Sequence, residues 1–468
     1  MSSTEFKRIA DAVHGTIGLS DLEVQVMNTQ VFQRLRNVKQ LGLADYVFPG
    51  ATYSRLSHSL GACHITGRIL DALRRHDPAF NISDQDYQLY RIAALLHDIG
   101  HYPFSHAMEE ALKAYYKRFG KAADGNMGAA ATEKPLNHEK VGGEIVRRDA
   151  ELGEVLSTGG IKPENLEKVF EHDDSSRLAN IISSDLDADR MDYLLRTARH
   201  TGLPYGSIDL EYILSQLRLD KNGRLCIRSK AVRTADHFLL SRYFDYQQIS
   251  FHKTVAAFEF VLKDVISALL KANSIHCGAD DIRKMIENGA WRQFDDTHII
   301  QKIIDLDNST ADDLLRLKTR SILKRKAPKL IYRSEKFIQR DSGSEEHLLR
   351  KGVVEGKIPS WAEKFNIDPT LWYVWDKPGI PITKVGSTVP IASLVESDNE
   401  EDSALAESIF VLEEDSETSK PIVGLNYSLL KPLSDIKLYA LRVYVVLPPD
   451  RESLVQDIKK EIQSIWTV

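Results

Sequence analysis

Arg91-Ile-Ala-Ala-Leu-Leu-His97-Asp98-Ile-Gly100-His101-Tyr-Pro-Phe-Ser-His106 is the stretch on which the reading of this chain turns. A short apolar helical run ends in His97 and Asp98. Adjacent residues on a helix lie about 100° apart, so a buried His and Asp can flank one point in space. A surface ion pair would not need Ile92, Leu95, Leu96 and Ile99 around it. Two ligating groups set in apolar sequence, followed closely by His101 and His106, read as a metal site. The alternative is a core histidine satisfied by its neighbouring carboxylate. The further histidines and the partners below argue against it.

Outward from this stretch, residues 1–270 read as mainly helical. Leu60, Ile65, Ile69, Leu70 and Leu73 follow helical spacing after Arg55 and His58, and Leu210, Ile213, Leu214 and Leu217 repeat the pattern. Lys221-Asn222-Gly223 predicts the turn of a short hairpin over Leu217–Ile227. Residues 120–137 are small and poorly patterned, and they run straight into His138, so they read as a mobile loop, either a lid or a plain insertion. Helical character continues to about residue 330. Beyond it, Ile380–Val385, Ile409–Leu412 and Leu438–Val446 look like strands, and Arg451–Ile465 like an amphipathic closing helix. The acidic, Ser-rich stretch over 396–418 reads as a solvated loop. The expected fold is therefore mainly α, a helical domain over 1–330 followed by a smaller α+β domain over 331–468.

Composition narrows the class. The 468 residues are 43% apolar and 27% charged, ordinary for a soluble globular chain with a large core. A net charge of −6 supplies no global basic field for nucleic acid. Cys63, Cys226 and Cys277 lie far apart and form no CxxC pair, which fits a reducing, cytoplasmic setting. The first residues carry no apolar signal region. Tyr439–Leu447, the most apolar stretch near the C-terminus, contains Arg442 and is too short to span a membrane.

Three other segments carry candidate chemistry. Arg55 and His58 stand three apart, on one helix face. Asn137-His138-Glu139 follows the small-residue loop. Ser184-Asp185-Leu-Asp187-Ala-Asp189-Arg190-Met-Asp192-Tyr193 places four aspartates close together. They would repel one another in a folded site unless a cation or arginines offset them. Asp185, Asp189 and Asp192 are expected to share a helical face, some as caps or ion pairs. A set of two His and two carboxylates suits Mn²⁺, Fe²⁺, Zn²⁺ or Ni²⁺ better than Ca²⁺. His101, His106 and His138, with Glu109, are candidates for general acid and base. Arg55, Arg190, Arg242 and Lys253 are cations able to hold a polyphosphate.

This order of His, then His-Asp, then Asp resembles the HD phosphohydrolase superfamily. Phe32–Arg36, Lys39–Gly42, Tyr46–Ala51, His58–Gly61, His97-Asp98, Gly100-His101, Pro103–His106 and Asp187–Tyr193 are similar to the dNTP triphosphohydrolases, over roughly residues 5–270. The resemblance implies an HD-domain helical core and a divalent metal (Mn, Fe, Mg, Zn or Ni) held by His58, His97, Asp98 and Asp189. It implies a catalytic group of His101, Glu109 and His138, with Glu109 where the vertebrate enzyme has Asp. It assigns phosphate contacts to His106, Arg55, Arg190, Arg242 and Lys253, and a sugar pocket to Gln40, Leu41 and Tyr193. It further implies a homotetramer with an activating nucleotide at a subunit interface, where Lys7, Gln33 and Arg36 match and Asn28 replaces an Asp that reads guanine. Thr197 replaces the Asp that holds the 3′-hydroxyl, and Ser250 replaces a pocket Tyr.

The expected function is metal-dependent hydrolysis of a deoxynucleoside triphosphate to deoxynucleoside and triphosphate. The alternatives are an HD-type phosphodiesterase or nuclease, a hydrolase of another nucleotide, and a non-catalytic nucleotide-sensing scaffold. The near-continuous match through the sugar pocket opposes the first. The presence of every ligand and acid–base candidate opposes the last.

Overall fold

A computed structural model describes residues 7–77, 80–119, 134–170, 181–182, 184–339, 344–381 and 408–466. Most of the expected loop at 120–137 and the first part of the acidic stretch at 396–418 lie outside the described residues.

The chain opens with an antiparallel hairpin, β1 (Lys7–Asp11) and β2 (Gly15–Leu19). Sequence periodicity had given only helix here. Three of the five β1 residues are solvent-exposed, so no alternation marks the strand. Gly15 takes φ +73 at the turn, a left-handed conformation that glycine adopts without a Cβ clash. Helix α1 (Asp21–Asn28) starts in a capping box, in which Ser20 and Glu23 satisfy each other's backbone N–H groups. A short turn, α2 (Gln30–Gln33), follows.

The helical core is built around α3 (Arg55–His76), a 22-residue helix with most of its length buried. It packs against α4 (Asp84–Leu96) and, across the core, α9 (Ala188–Thr201). Between these in sequence come α5 (His106–Phe119), α6 (His138–Arg148), α7 (Ala150–Thr158) and α8 (Pro163–Phe170). After α10 (Leu210–Gln216), the hairpin expected around Asn222-Gly223 forms as β3 (Leu217–Leu219) and β4 (Leu225–Arg228), with Gly223 at φ +78. Helix α11 (Val232–Asp245) runs into a π-helical turn, Tyr246–Ser250. Next are α12 (Lys253–Lys271), α13 (Ala279–Glu287), α14 (Asp296–Ser309) and α15 (Asp313–Leu323).

The remaining chain adds sheet. β5 (Lys329–Gln339), β6 (Trp372–Pro381) and β9 (Ile436–Val445) form an antiparallel sheet in the order β5-β9-β6. Helix α16 (Glu345–Phe365) packs on β6 and β9, and α18 (Val455–Ser464) on β5, with α17 (Leu430–Leu433) preceding β9. β7 (Phe410–Leu412) pairs parallel with β4 and antiparallel with β8 (Lys420–Pro421), so this late segment extends the early hairpin. The expected strands at 409–412 and 438–446 and the closing helix are present. The strand expected at 380–385 is the end of β6, which begins at Trp372; the residues after Pro381 lie outside the described ones. β5 and α16 were missed, because the charged outer residues of β5 blur its alternation. The fold is mainly α, with a helical core and a smaller sheet-bearing C-terminal region. One contiguous apolar core joins the two, and α12 packs on both α5 and β5.

Candidate active site

Three backbone segments converge on one point because α3, α4 and α9 pack side by side. His58 comes from the first turns of α3, His97 from the C-cap of α4 and Asp98 from the residue after it. Asp189 comes from the first turn of α9. His58 Nε2 lies 2.9 Å from Asp189 Oδ1 and 3.7 Å from Asp98 Oδ2. His97 Nε2 lies 3.8 Å from Asp189 Oδ1 and 3.5 Å from Asp98 Oδ1.

The other nitrogen of each ring is already engaged. His58 Nδ1 donates to Asp192 Oδ2 at 2.7 Å, and His97 Nδ1 to the Ala94 carbonyl at 2.7 Å. With Nδ1–H engaged, Nε2 is the ring atom aimed inward, where either a proton or a metal cation can occupy its lone pair. Both Nε2 atoms are buried, and neither makes a hydrogen bond of good geometry despite the carboxylates beside it. Burial opposes charge on His58, but Asp189 and Asp192 outweigh it and raise the imidazole to about 10. The carboxylates thus create a place for positive charge. His58, His97 and Asp189 bring their ligand atoms within 4.8 Å of one another, with Asp98 alongside. Two imidazole nitrogens and carboxylate oxygens fit a divalent first-row metal.

The four aspartates between 185 and 192 part company. The sequence pattern placed Asp185, Asp189 and Asp192 on one helical face, but α9 begins only at Ala188. Asp187 is its N-cap, accepting from the Arg190 backbone N–H at 2.6 Å. Asp185 accepts from Arg242 at 3.0 Å and lies 3.4 Å from Arg190. Only Asp189 faces the two histidines, while Asp192 stands behind His58. Asp192 in turn receives Arg196 at 2.8 Å and His14 Nε2 at 2.7 Å. Arg196 also holds Asp11, so the N-terminal hairpin is tied to this buried cluster.

Beside the ligand group lies a second one. His101 Nε2 is 3.1 Å from Asp98 Oδ1, and its ring stacks on His138 with centroids 4.0 Å apart. Asn137 caps α6 and so sets His138 at the helix start, where its Nδ1 lies 2.9 Å from Glu109 Oε2. Burial favours a neutral Glu109, but His138 and Lys113 override it and hold the carboxyl at about 2. Burial, with Arg55 and His138, keeps the His101 imidazole well below its ordinary value, and His106 is lowered to about 4 for the same reasons. Neutral imidazoles can exchange protons with a ligand.

The loop carrying these groups is strained and braced. Phe104 and Ser105 both take φ +54, a region disfavoured for residues with a Cβ. The Phe104 N–H donates to Asp296 at 2.7 Å, Ser105 Oγ accepts from Arg55 Nε at 2.9 Å, and Arg34 donates to the His101 carbonyl at 2.7 Å. Arg55 also donates to Asp98.

These groups open on a cavity of about 820 Å³. Gln40, Leu41, Arg55, His97, Asp98, His101, His106, His138, Asp189 and Tyr193 line it, while His58 and Glu109 are not among its lining residues. Arg190 and Arg242 are buried behind the wall on Asp185, and Lys253 is exposed at the start of α12. None of the three lines the cavity, where the cations beside Arg55 are instead Lys263, Lys351 and Lys377. Thr197 is fully buried behind Tyr53, whose hydroxyl it meets at 2.7 Å. Gln33 and Arg36 are hydrogen-bonded at 2.8 Å near the surface, with Asn28 exposed on α1 and Lys7 exposed on β1. Sequence reasoning missed His14, Arg34, Tyr53, Asp245 and Asp296. Local spacing carries no signal for them, since each matters through a contact distant in the chain. No helix among the described residues is long and apolar enough to cross a membrane.

Comparison with known proteins agrees with this geometry. Residues 55–197 match the HD domain model and residues 208–351 the HD associated region, together more than half of the chain. A Bacillus subtilis protein, YwfO, is 32% identical over 276 residues, 58% of this chain and 57% of that protein. The human deoxynucleoside triphosphate triphosphohydrolase SAMHD1 is 29% identical over 303 residues, 57% of this chain and 45% of that protein. The chain spans about half the length of the curated relatives it matches. A crystal structure of a hypothetical protein from Aquifex aeolicus shares the fold, with a TM-score of 0.69 at 24% identity, covering 98% of this chain and all of that one. With the His, His-Asp and Asp of the domain gathered at one point and its associated region following, the chain belongs to the HD-domain superfamily.

Proposed function

We propose that this protein is a metal-dependent phosphohydrolase that cleaves deoxynucleoside triphosphates to deoxynucleoside and triphosphate. The observation that carries the reading is the convergence of the buried Nε2 atoms of His58 and His97, neither in a well-formed hydrogen bond, on the carboxylates of Asp98 and Asp189 at the wall of an 820 Å³ cavity. A cavity of that size suits a nucleotide. The family relationship to proteins named deoxynucleoside triphosphate triphosphohydrolases supports the substrate class.

His58, His97, Asp98 and Asp189 would hold the ion, which when bound supplies Lewis acidity for the phosphoryl group and a more acidic water. Asp192 and the Ala94 carbonyl keep the two imidazoles aimed. Arg55 neutralises part of the Asp98 charge and presents its remaining surface to the cavity. His101 or His138 gives a proton to the leaving 5′-oxygen, and Glu109 holds the His138 ring in place. Gln40, Leu41 and Tyr193 bound the sugar, and His106 sits at the phosphate side. A homotetramer, with Lys7, Asn28, Gln33 and Arg36 around an activating nucleotide, belongs to the same reading.

The test is to incubate the purified protein with Mn²⁺ and each NTP and dNTP, alone and with the others as activators. Intact triphosphate and nucleoside are expected. Nucleoside monophosphate and pyrophosphate as primary products would place the attack at another bond and overturn the proposal.

A further inference from the structure

The cavity has a further polar wall, away from the metal and histidine groups in sequence, that the chemistry above does not use. It forms where α11 passes into the π-helical turn Tyr246–Ser250. Such turns are rare and recur at functional sites, because the wider turn re-aims side chains. Here Asp245, Tyr246, Ile249 and Ser250 reach the cavity lining. Asp245 is only 5% exposed. Among the described residues it has one side-chain hydrogen bond, from the Tyr205 hydroxyl to Oδ1 at 2.5 Å. Burial pushes its carboxyl up to about 7, against the pull of the Tyr205 bond and of Arg242. A buried carboxyl group with spare acceptor capacity is costly to keep unless a partner meets it. The open side of Asp245 is the cavity.

Helix α9 gives the scale. Asp189, Tyr193 and Thr197 follow one another at i, i+4 and i+8, so Thr197 lies roughly 12 Å along the axis from Asp189 at 1.5 Å per residue. That span leaves room for a sugar between the metal-side carboxylate and the far end of the helix. The family resemblance places Thr197 at the sugar, but its hydroxyl is taken by Tyr53 and it is fully buried. Tyr53, Tyr193 and Asp245 line the cavity in its place. They are neighbours: burial raises both phenols, and the Asp245 charge adds to the rise in each.

We infer that Asp245 is the specificity residue that binds the 3′-hydroxyl of the substrate sugar, and that Thr197 is not. A deoxynucleotide sugar has one free hydroxyl, at the 3′ position, and a carboxyl group held by Tyr205 can accept a hydrogen bond from it on its other oxygen. This inference rests on the proposed nucleoside triphosphate hydrolysis.

The experiment compares kcat/KM for a dNTP and its 2′,3′-dideoxy analogue in the wild-type protein and in Asp245→Leu, Asp245→Asn, Tyr205→Phe and Thr197→Val. The wild-type protein should prefer the dNTP at least tenfold, mainly through KM. Asp245→Leu should bring the ratio within threefold, Asp245→Asn should keep part of it, and Tyr205→Phe should lower it. Thr197→Val should leave it in place. An unchanged ratio in Asp245→Leu, or a ratio lost in Thr197→Val instead, overturns the inference. If Asp245→Leu does not fold, Asp245→Asn decides by the same ratio, full retention counting against Asp245. A wild-type protein that cleaves no nucleoside triphosphate sinks the proposed function. One that cleaves dNTP and dideoxy analogue equally sinks only the role of Asp245.

Discussion

His14 Nε2 and Asp192 Oδ1 lie 2.7 Å apart, across 178 residues of sequence, and the bond joins the N-terminal hairpin to the carboxylate that aims His58. Both side chains are buried, and Arg196 closes the cluster from the other side by holding Asp192 and Asp11 together. The hairpin therefore does more than cover the core, because it helps fix the direction of a candidate metal ligand.

Removing His14 should loosen that direction without removing a ligand. His14→Ala is expected to weaken metal affinity by up to about tenfold, less than the roughly 10–100-fold for a direct partner of a ligand, because His14 holds Asp192 and not His58 itself. It should also lower stability by roughly 1–3 kcal/mol, since part of a buried carboxylate loses its donor. Metal titration and thermal denaturation check both effects, and unchanged affinity would confine His14 to a packing role.

His97→Ala and Asp98→Ala should each abolish bound metal and hydrolysis while the far-ultraviolet circular dichroism stays close to wild type. Both positions follow the last turn of α4, so no helix interior is broken. Elemental analysis showing full occupancy in the double variant would remove these residues from the ligand set.

His138→Ala should retain metal and lose rate by roughly 10²–10⁴-fold, as expected for a general acid or base. Near-normal activity would shift the role to His101.

Glu109 makes a related statement about acid stability. Its folded-state carboxyl sits at about 2, below the ordinary 4.5. A depressed carboxyl stabilises the fold above its unfolded value, and that contribution is lost as pH falls from about 4.5 towards 2. Glu109→Gln should remove roughly 2–3 kcal/mol at neutral pH and flatten this part of the stability curve. Urea midpoints at pH 7, 4 and 3 give the comparison, and parallel curves for the two proteins would contradict the assignment.

Gly100→Ala should damage the site through backbone alone. A Cβ at residue 100 would overlap the His138 carbonyl and the Gly142 N–H, neither of which is a flexible side-chain end. The substitution is expected to cost about 1–3 kcal/mol, as overpacking does, and to slow turnover by shifting the start of α6 away from His101. A melting temperature and rate equal to wild type would show that α6 moves freely.

The sequence by itself determined the parts of this protein that depend on neighbours along the chain. The apolar run ending in His97-Asp98, the Arg55–His58 spacing, the Asn222-Gly223 turn and the mainly helical class follow from local periodicity and turn chemistry, and the fold contains all of them. Tertiary structure decided the rest, because packing brings together residues whose separation in sequence carries no period. It sent Asp185 to the arginines, Asp187 to a helix cap, Asp189 to the histidines and Asp192 behind His58, four fates for four like residues. It turned Thr197 onto Tyr53 and set Asp245 in the cavity. It also paired β5 with β9, a hundred residues away, and packed α18 on β5, whose charged outer residues hide it from any alternation rule.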